Sequence, residues 1–279
     1  IADGDWSSDV CSSDLGAVEP PSVEDPTPVV VIPTTFAGAA VSSGGSIELL
    51  SVEESPTADP IRTSGSVRPI AVIDDPALYE TTPTGALAGS AMNGFNKGLE
   101  TIYANDASAI TDATAVRGLG LLTDALPRLG ETSQVMDRAV AGSLLVQFER
   151  TTNVIHAFGH GFARRYDVQQ GVAHAIMAPH VLRYLFERVD ARRTVLGEGL
   201  GIEGESMDDD ALAETIVASV ESVRDSLALP DRLRDIEAVS EADLPAIARF
   251  VHDDAPMARA PPGLDPTVAE LEAVLRAAW

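Results

Sequence analysis

His156-Ala157-Phe158-Gly159-His160, followed by Gln170-Gly171-Val172-Ala173-His174 and then Pro179-His180, is the stretch on which the reading of this chain turns. Four of the five histidines fall within these 25 residues, in a pattern that reads as helix, tight turn, helix. Residues 156 and 160 are four apart, so on a helix both imidazoles project from the same face and can converge on one ligand. That spacing suits a metal or cofactor site.

Downstream of Pro83 the apolar positions recur every three or four residues, which predicts helices near 84–103, 108–127, 132–150, 151–165, 171–188, 191–198, 208–227, 241–252 and 267–277. Capping residues support several of them: Asp106 or Ser108 opens the second, Thr132 the third and Asp208 the seventh, while Gly130 and Gly199 follow helix ends. Upstream the pattern changes. Val29-Val30-Val31-Ile32 is an apolar β-branched run of the kind that forms a buried strand, stopped by Pro33-Thr34-Thr35. Ile70-Ala71-Val72-Ile73, bounded by Pro69 and Asp74-Asp75-Pro76, reads as an edge strand of the same sheet. Residues 42–66, rich in Ser, Gly and Pro, suggest loops or a hairpin. The chain thus divides into a tail (1–15), a partial α/β domain (16–82) and an all-helical domain (83–279).

Asp plus Glu outnumber Lys plus Arg 43 to 19, and the net charge of -24 repels nucleic acid and anionic membranes. With a single lysine, this acidity fits adaptation to high salt, where screening shortens self-repulsion, or an ordinary acidic enzyme from a GC-rich coding sequence. No apolar run approaches the ~20 residues that span a bilayer, and the single cysteine, Cys11, precludes an intrachain disulfide framework. A cytoplasmic location is the expectation. Residues 1–15, including Trp6 and Cys11, match no signal peptide or structural period and look like a translated sequencing adapter, with the chain then a 5′-truncated fragment; a polar tail is the alternative.

The histidine segment resembles the signature of the iron-containing alcohol dehydrogenase superfamily, in which a His-x-x-x-His helix leads through a loop into a His-Gly helix ending in Pro-His. The third histidine of that pattern is here Gln170. The resemblance extends from about residue 28 to Pro261-Pro262-Gly263-Leu264-Asp265 and the terminal Leu275-Arg276-Ala277-Ala278-Trp279. It implies a dehydroquinate synthase-like architecture: an α/β remnant of a nucleotide-binding domain followed by an all-helical domain carrying the metal site. It also implies an NAD(P)-dependent oxidoreductase of small alcohols or carbonyls, with a homodimer as the family expectation. The family's Gly-Gly-Gly-Ser turn, which holds the dinucleotide pyrophosphate, has no counterpart; Gly44-Gly45-Ser46 follows the Thr-Thr block, in the wrong order, and reads as a turn.

Pro33-Thr34-Thr35-Phe36-Ala37-Gly38 resembles the Pro-Thr-Thr-Tyr-Ala-Gly block of the maleylacetate reductase branch. By that resemblance Thr34, Thr35 and Gly38 would contact the cofactor; otherwise Thr-Thr after a strand is a turn. Met92-Asn93-Gly94-Phe95-Asn96-Lys97 aligns with the block that supplies two metal ligands, so the family's four ligand positions read Asn93, Lys97, His156 and Gln170. An asparagine at the first position also occurs in the maleylacetate reductases. Only His156 is a strong donor, where iron or zinc sites want three or four, and a protonated lysine repels a divalent cation. Metal-independent chemistry is therefore expected, with Lys97 stabilising the substrate oxygen; a lysine snorkelling to the surface is the alternative.

The resemblance places His160 beside the nicotinamide, where it could relay the alcohol proton. His174 occupies a position that is histidine in the maleylacetate reductases, which by that resemblance makes it a further candidate catalytic residue; a core or capping histidine is the alternative. Arg164 could hold a substrate carboxylate, or with Arg165 complement the helix dipole. His180 reads as a core or capping residue, and His252, beside Asp253-Asp254, as a surface residue. Two other readings stand: a metal-dependent alcohol dehydrogenase recruiting other ligands, and an inactive fragment or degenerate binding or assembly subunit.

Overall fold

The computed structural model describes residues 28–41, 45–49, 61–65, 69–148, 152–204 and 206–279. The tail 1–15, with Trp6 and Cys11, lies outside the described residues. Strand β1 (Val30–Val31) pairs in parallel with β4 (Ala71–Val72), so the two apolar runs share one sheet as their sequences suggest. The expected burial is not met: Val30, Ile32, Ile70 and Ile73 are 50 to 71% exposed. Each strand is only two residues long, and burial begins at Phe36, beyond the proline that ends the first run. Strands β2 (Gly45–Leu49) and β3 (Ile61–Gly65) form an antiparallel hairpin with Gly45 opposite Gly65. Gly45 and Ser46 are strand residues rather than a turn, and a phosphate cradle would need them at a helix N-terminus.

From Pro76 onward the described residues form helices and turns. A short helix α1 (Pro76–Tyr79) not expected from the sequence is opened by Asp75, whose Oδ1 accepts the Ala77 N–H, with Pro76 at the first helical position. The expected helices follow as α2 (Thr84–Tyr103), α3 (Ala109–Ala125), α4 (Ser133–Phe148), α5 (Val154–Ala163), α6 (Gln170–Phe186), α7 (Arg193–Gly199), α8 (Asp209–Ser226), α9 (Leu244–Asp253) and α10 (Val268–Ala277). Ser108 opens α3 through a capping box with Thr111, Thr132 caps α4, and Asp208 caps α8 by accepting the Ala211 N–H at 2.8 Å. Gly130 adopts φ +92, but at the end of α7 the left-handed residue is Gly201, two positions beyond the expected Gly199.

Helix α2 is the axis of the bundle. Every residue from Leu87 to Tyr103 is buried, because α3, α4 and α6 pack around it. Helix α5 lies on α6 and is backed by α9, and α8 covers the far side of α6. Glycines permit the closest approaches. A Cβ on Gly171 would sit 1.7 Å from the Gly89 carbonyl oxygen, and one on Gly118 2.6 Å from Val146 Cγ1. The first of these sets the α2–α6 separation at the level of the histidine segment.

Gly171→Ala forces α6 away from backbone that cannot yield. We expect a loss of about 1–3 kcal/mol or more in denaturant unfolding, the range for overpacking a tight core, whereas alanine at Gly85, which has open space around it, leaves the midpoint near its original value.

Candidate functional site

The residues singled out in α2 and α5 meet in the interior. Ser90, Asn93, Lys97 and Glu100 recur at intervals of three and four, so they form one stripe on α2, and all four are buried. The segment 33–38 runs across this stripe. Ser90 Oγ accepts the Phe36 N–H at 3.2 Å, and the Lys97 ammonium donates to the Ala37 carbonyl. From α4, Gln147 Nε2 donates to the Phe36 carbonyl at 2.9 Å and to Ser143 Oγ at 2.6 Å. Gly94 allows this crossing, since a Cβ there would lie 2.9 Å from the same Phe36 oxygen. Gly38 adopts φ +79 against Gln147, leaving no room for a side chain.

The other end of the stripe meets the imidazoles. His156 Nε2 lies 3.2 Å from Asn93 Oδ1, its Nδ1 contacts Glu100 Oε2, and its backbone N–H donates to Glu100 Oε1 at 2.9 Å. Burial pushes the Glu100 carboxyl up to about 8, outweighing the N–H groups of His156, Asn153 and Ile155 that favour its anion. The His156 and His160 rings stand 6.4 Å apart, edge to face, and the His174 ring lies 4.3 Å from His156. The shared face read from the His-x-x-x-His spacing is present. His160 Nδ1 is 2.6 Å from Asp254 Oδ2.

The C-terminal region of the Fe-containing alcohol dehydrogenase family matches residues 87–279. The chain belongs to that family. The 1,3-propanediol dehydrogenase of Klebsiella pneumoniae is 26% identical over 239 residues, covering 84% of this chain and 61% of the relative. The maleylacetate reductase of Rhizobium sp. (strain MTP-10005) is 27% identical over 168 residues, 58% of this chain and 46% of that enzyme. The solved alcohol dehydrogenase from Oenococcus oeni superposes with a TM-score of 0.82 at 18% identity, covering 94% of this chain and 68% of that one. The chain therefore spans about three-fifths of the first of these relatives.

Within this iron-alcohol-dehydrogenase frame, the four positions that the resemblance assigns to metal ligands hold two amides, one ammonium and one imidazole. Asn93 offers a neutral amide oxygen, Gln170 another at the start of α6, and the Lys97 ammonium is bound to a backbone carbonyl. His156 is the one strong donor among them. Among the described residues no group of three or more His, Cys, Asp or Glu side chains is arranged around a common point for a metal. Lys97 is buried and directed to Ala37, so the expectation of a lysine reaching the surface does not hold.

Thr34 is exposed and Thr35 partly so, on the loop that the α2 stripe anchors, and the Thr34 carbonyl accepts from Thr82 Oγ1 at 2.8 Å. His174 is wholly buried, and neither ring nitrogen has a hydrogen-bond partner; the side-chain amide of Asn96, also wholly buried, is likewise unpartnered. Arg164 caps α5 from an exposed position and lies over the Phe250 ring at 4.9 Å, in keeping with the helix-end reading. Glu100 and Asp254 are site residues that the sequence reading did not select. No described helix is long and apolar enough to cross a membrane.

Burial, aided by the charges of His156, His160 and Lys97, lowers the His174 imidazole well below its usual range, and burial with Arg183 and Arg232 lowers His180 to about 4. Below pH about 6.5 the unfolded chain binds protons that these folded imidazoles refuse, so stability falls as pH drops. For His180 this loss runs from about 6.5 down to about 4. His180→Gln should flatten that branch in urea midpoints measured from pH 7 to 4, while leaving the midpoint at pH 7.5 little changed.

Proposed function

We propose that this chain is the helical part of an NAD(P)-dependent oxidoreductase that interconverts a small alcohol and its carbonyl without a catalytic metal. The observation that carries this reading is the buried Lys97 ammonium, which stands at a family ligand position and is tied to the loop carrying Thr34 and Thr35. A fixed positive charge there serves the purpose a divalent cation would otherwise serve: it favours the negative charge that develops on the substrate oxygen. The Thr34 and Thr35 hydroxyls and the backbone around Gly38 are the groups of this chain that would hold the cofactor. When bound, the nicotinamide supplies or accepts the hydride. His160, the partly exposed imidazole of the cluster, gives or takes the proton at the oxygen. His174, buried and held neutral, shapes the pocket wall beside His156. The names of the relatives, 1,3-propanediol dehydrogenase and maleylacetate reductase, support a short-chain polar substrate. Arg164, over the Phe250 ring at the end of α5, would meet a substrate carboxylate.

Fluorescence titration with NADH and NADPH, elemental analysis of the purified protein, and turnover with and without EDTA test the proposal together. Cofactor binding, no stoichiometric iron or zinc, and EDTA-insensitive turnover are expected; stoichiometric metal whose removal abolishes activity would refute the metal-free step. Lys97→Met should lower kcat by about 10²–10³, the magnitude of losing one preorganised oxyanion donor, with the cofactor Kd less affected.

A further inference from the structure

Two adjacent carboxylates leave the end of α9 in opposite directions. Asp253 points to solvent, its side chain 80% exposed, and makes an ordinary surface pair with His252. Asp254, 6% exposed, turns inward to His160, 94 residues away in sequence. Its two oxygens have separate duties. Oδ1 accepts the Ala255 N–H at 3.0 Å, capping the turn Ala255–Arg259, while Oδ2 lies 2.6 Å from His160 Nδ1. That turn and α9 both pack on α5, so the carboxylate is fixed on the same framework as the imidazole it meets.

We propose that Asp254 is a positioning residue that holds His160 in the tautomer bearing hydrogen on Nδ1, leaving Nε2 as the nitrogen that exchanges a proton with the substrate oxygen. A carboxylate offers only lone pairs, so the nitrogen facing it carries the hydrogen. In alcohol oxidation the hydroxyl proton passes to Nε2 as the carbon–hydrogen bond yields its hydride to oxidised nicotinamide and the carbonyl forms; reduction is the reverse. The chemical half of this proposal rests on the oxidoreductase reading above, whereas the tautomer does not.

Asp254→Asn separates the two. Its Oδ1 can still cap Ala255, but its amide N–H₂ then faces Nδ1 and forces the hydrogen onto Nε2, presenting a nitrogen of the wrong kind to the substrate. ¹⁵N spectra of the histidine-labelled chain, with His160→Gln to assign the signal, should show a protonated Nδ1 and a bare Nε2 in the parent and the reverse in Asp254→Asn, with partial recovery in Asp254→Glu. With NADH and propanal as probes, kcat should fall about 10²–10⁴-fold, the span of general acid–base contributions, at unchanged cofactor KM. An unchanged His160 tautomer in a folded Asp254→Asn protein would overturn the placement. A reversed tautomer with unaltered kcat would overturn the role in proton transfer. If the parent chain binds no cofactor and turns over no aldehyde, the oxidoreductase reading and the proton-transfer role fail together, while the spectra still decide whether Asp254 sets the tautomer.

Discussion

The fold depends on a polar stripe buried along the axis of the helical bundle. Helix α2 is enclosed along its length, yet Ser90, Asn93, Lys97 and Glu100 put a hydroxyl, an amide, an ammonium and a carboxyl inside it. An unpaired buried polar group costs about 1–3 kcal/mol, and a charge more, so the surrounding chain must supply partners. The segment 33–38 and the start of α5 do so, and this demand fixes where they lie. The stripe thus organises the core and gathers the groups a reaction would use.

The partners lie far apart in sequence and are positioned by different devices. The loop offers backbone carbonyls of Phe36 and Ala37, which only a chain lacking side-chain bulk at Gly38 and Gly94 can bring so close to Gln147 and α2. His156 offers a backbone N–H and an imidazole to the same carboxyl, so Glu100 sets both the height of α5 and the orientation of its first imidazole. Gly171 then brings α6 near enough for His174 to lie against His156. A shift of any of these backbones would strand a buried polar group, which ties the precision of the site to the stability of the core.

The local parts of this arrangement were legible in the sequence. The bounds of α2, the Ser108 cap and the shared face of His156 and His160 follow from periodicity and capping, which act within a few residues. The edge pairing of the two apolar runs was legible too, though their burial was not, because burial depends on what covers a strand rather than on its composition. The role of Glu100 was available in principle: polar residues at 90, 93, 97 and 100 share a face of a helix otherwise rich in small and apolar residues, and that is unusual unless the face is solvated or buried with partners. What the sequence could not choose between was water and protein. Asp254 carried still less signal. Asp253 and Asp254 are chemically identical neighbours, and only the turn geometry beyond α9 sends one outward and the other to His160.

The same physics bears on why a lysine can occupy a position where relatives of this fold would place a ligand. A divalent ion needs several negative or strongly donating side chains around it, and the positions that the resemblance assigns to ligands hold two amides, one ammonium and one imidazole. A single ammonium asks for lone pairs rather than for anionic ligands. The Ala37 carbonyl and, at 3.5 Å, Gln147 Oε1 provide them. On the metal-free reading proposed above, replacing the lysine by histidine alone would not make a metal centre, since Asn93 and Gln170 would still supply only amides.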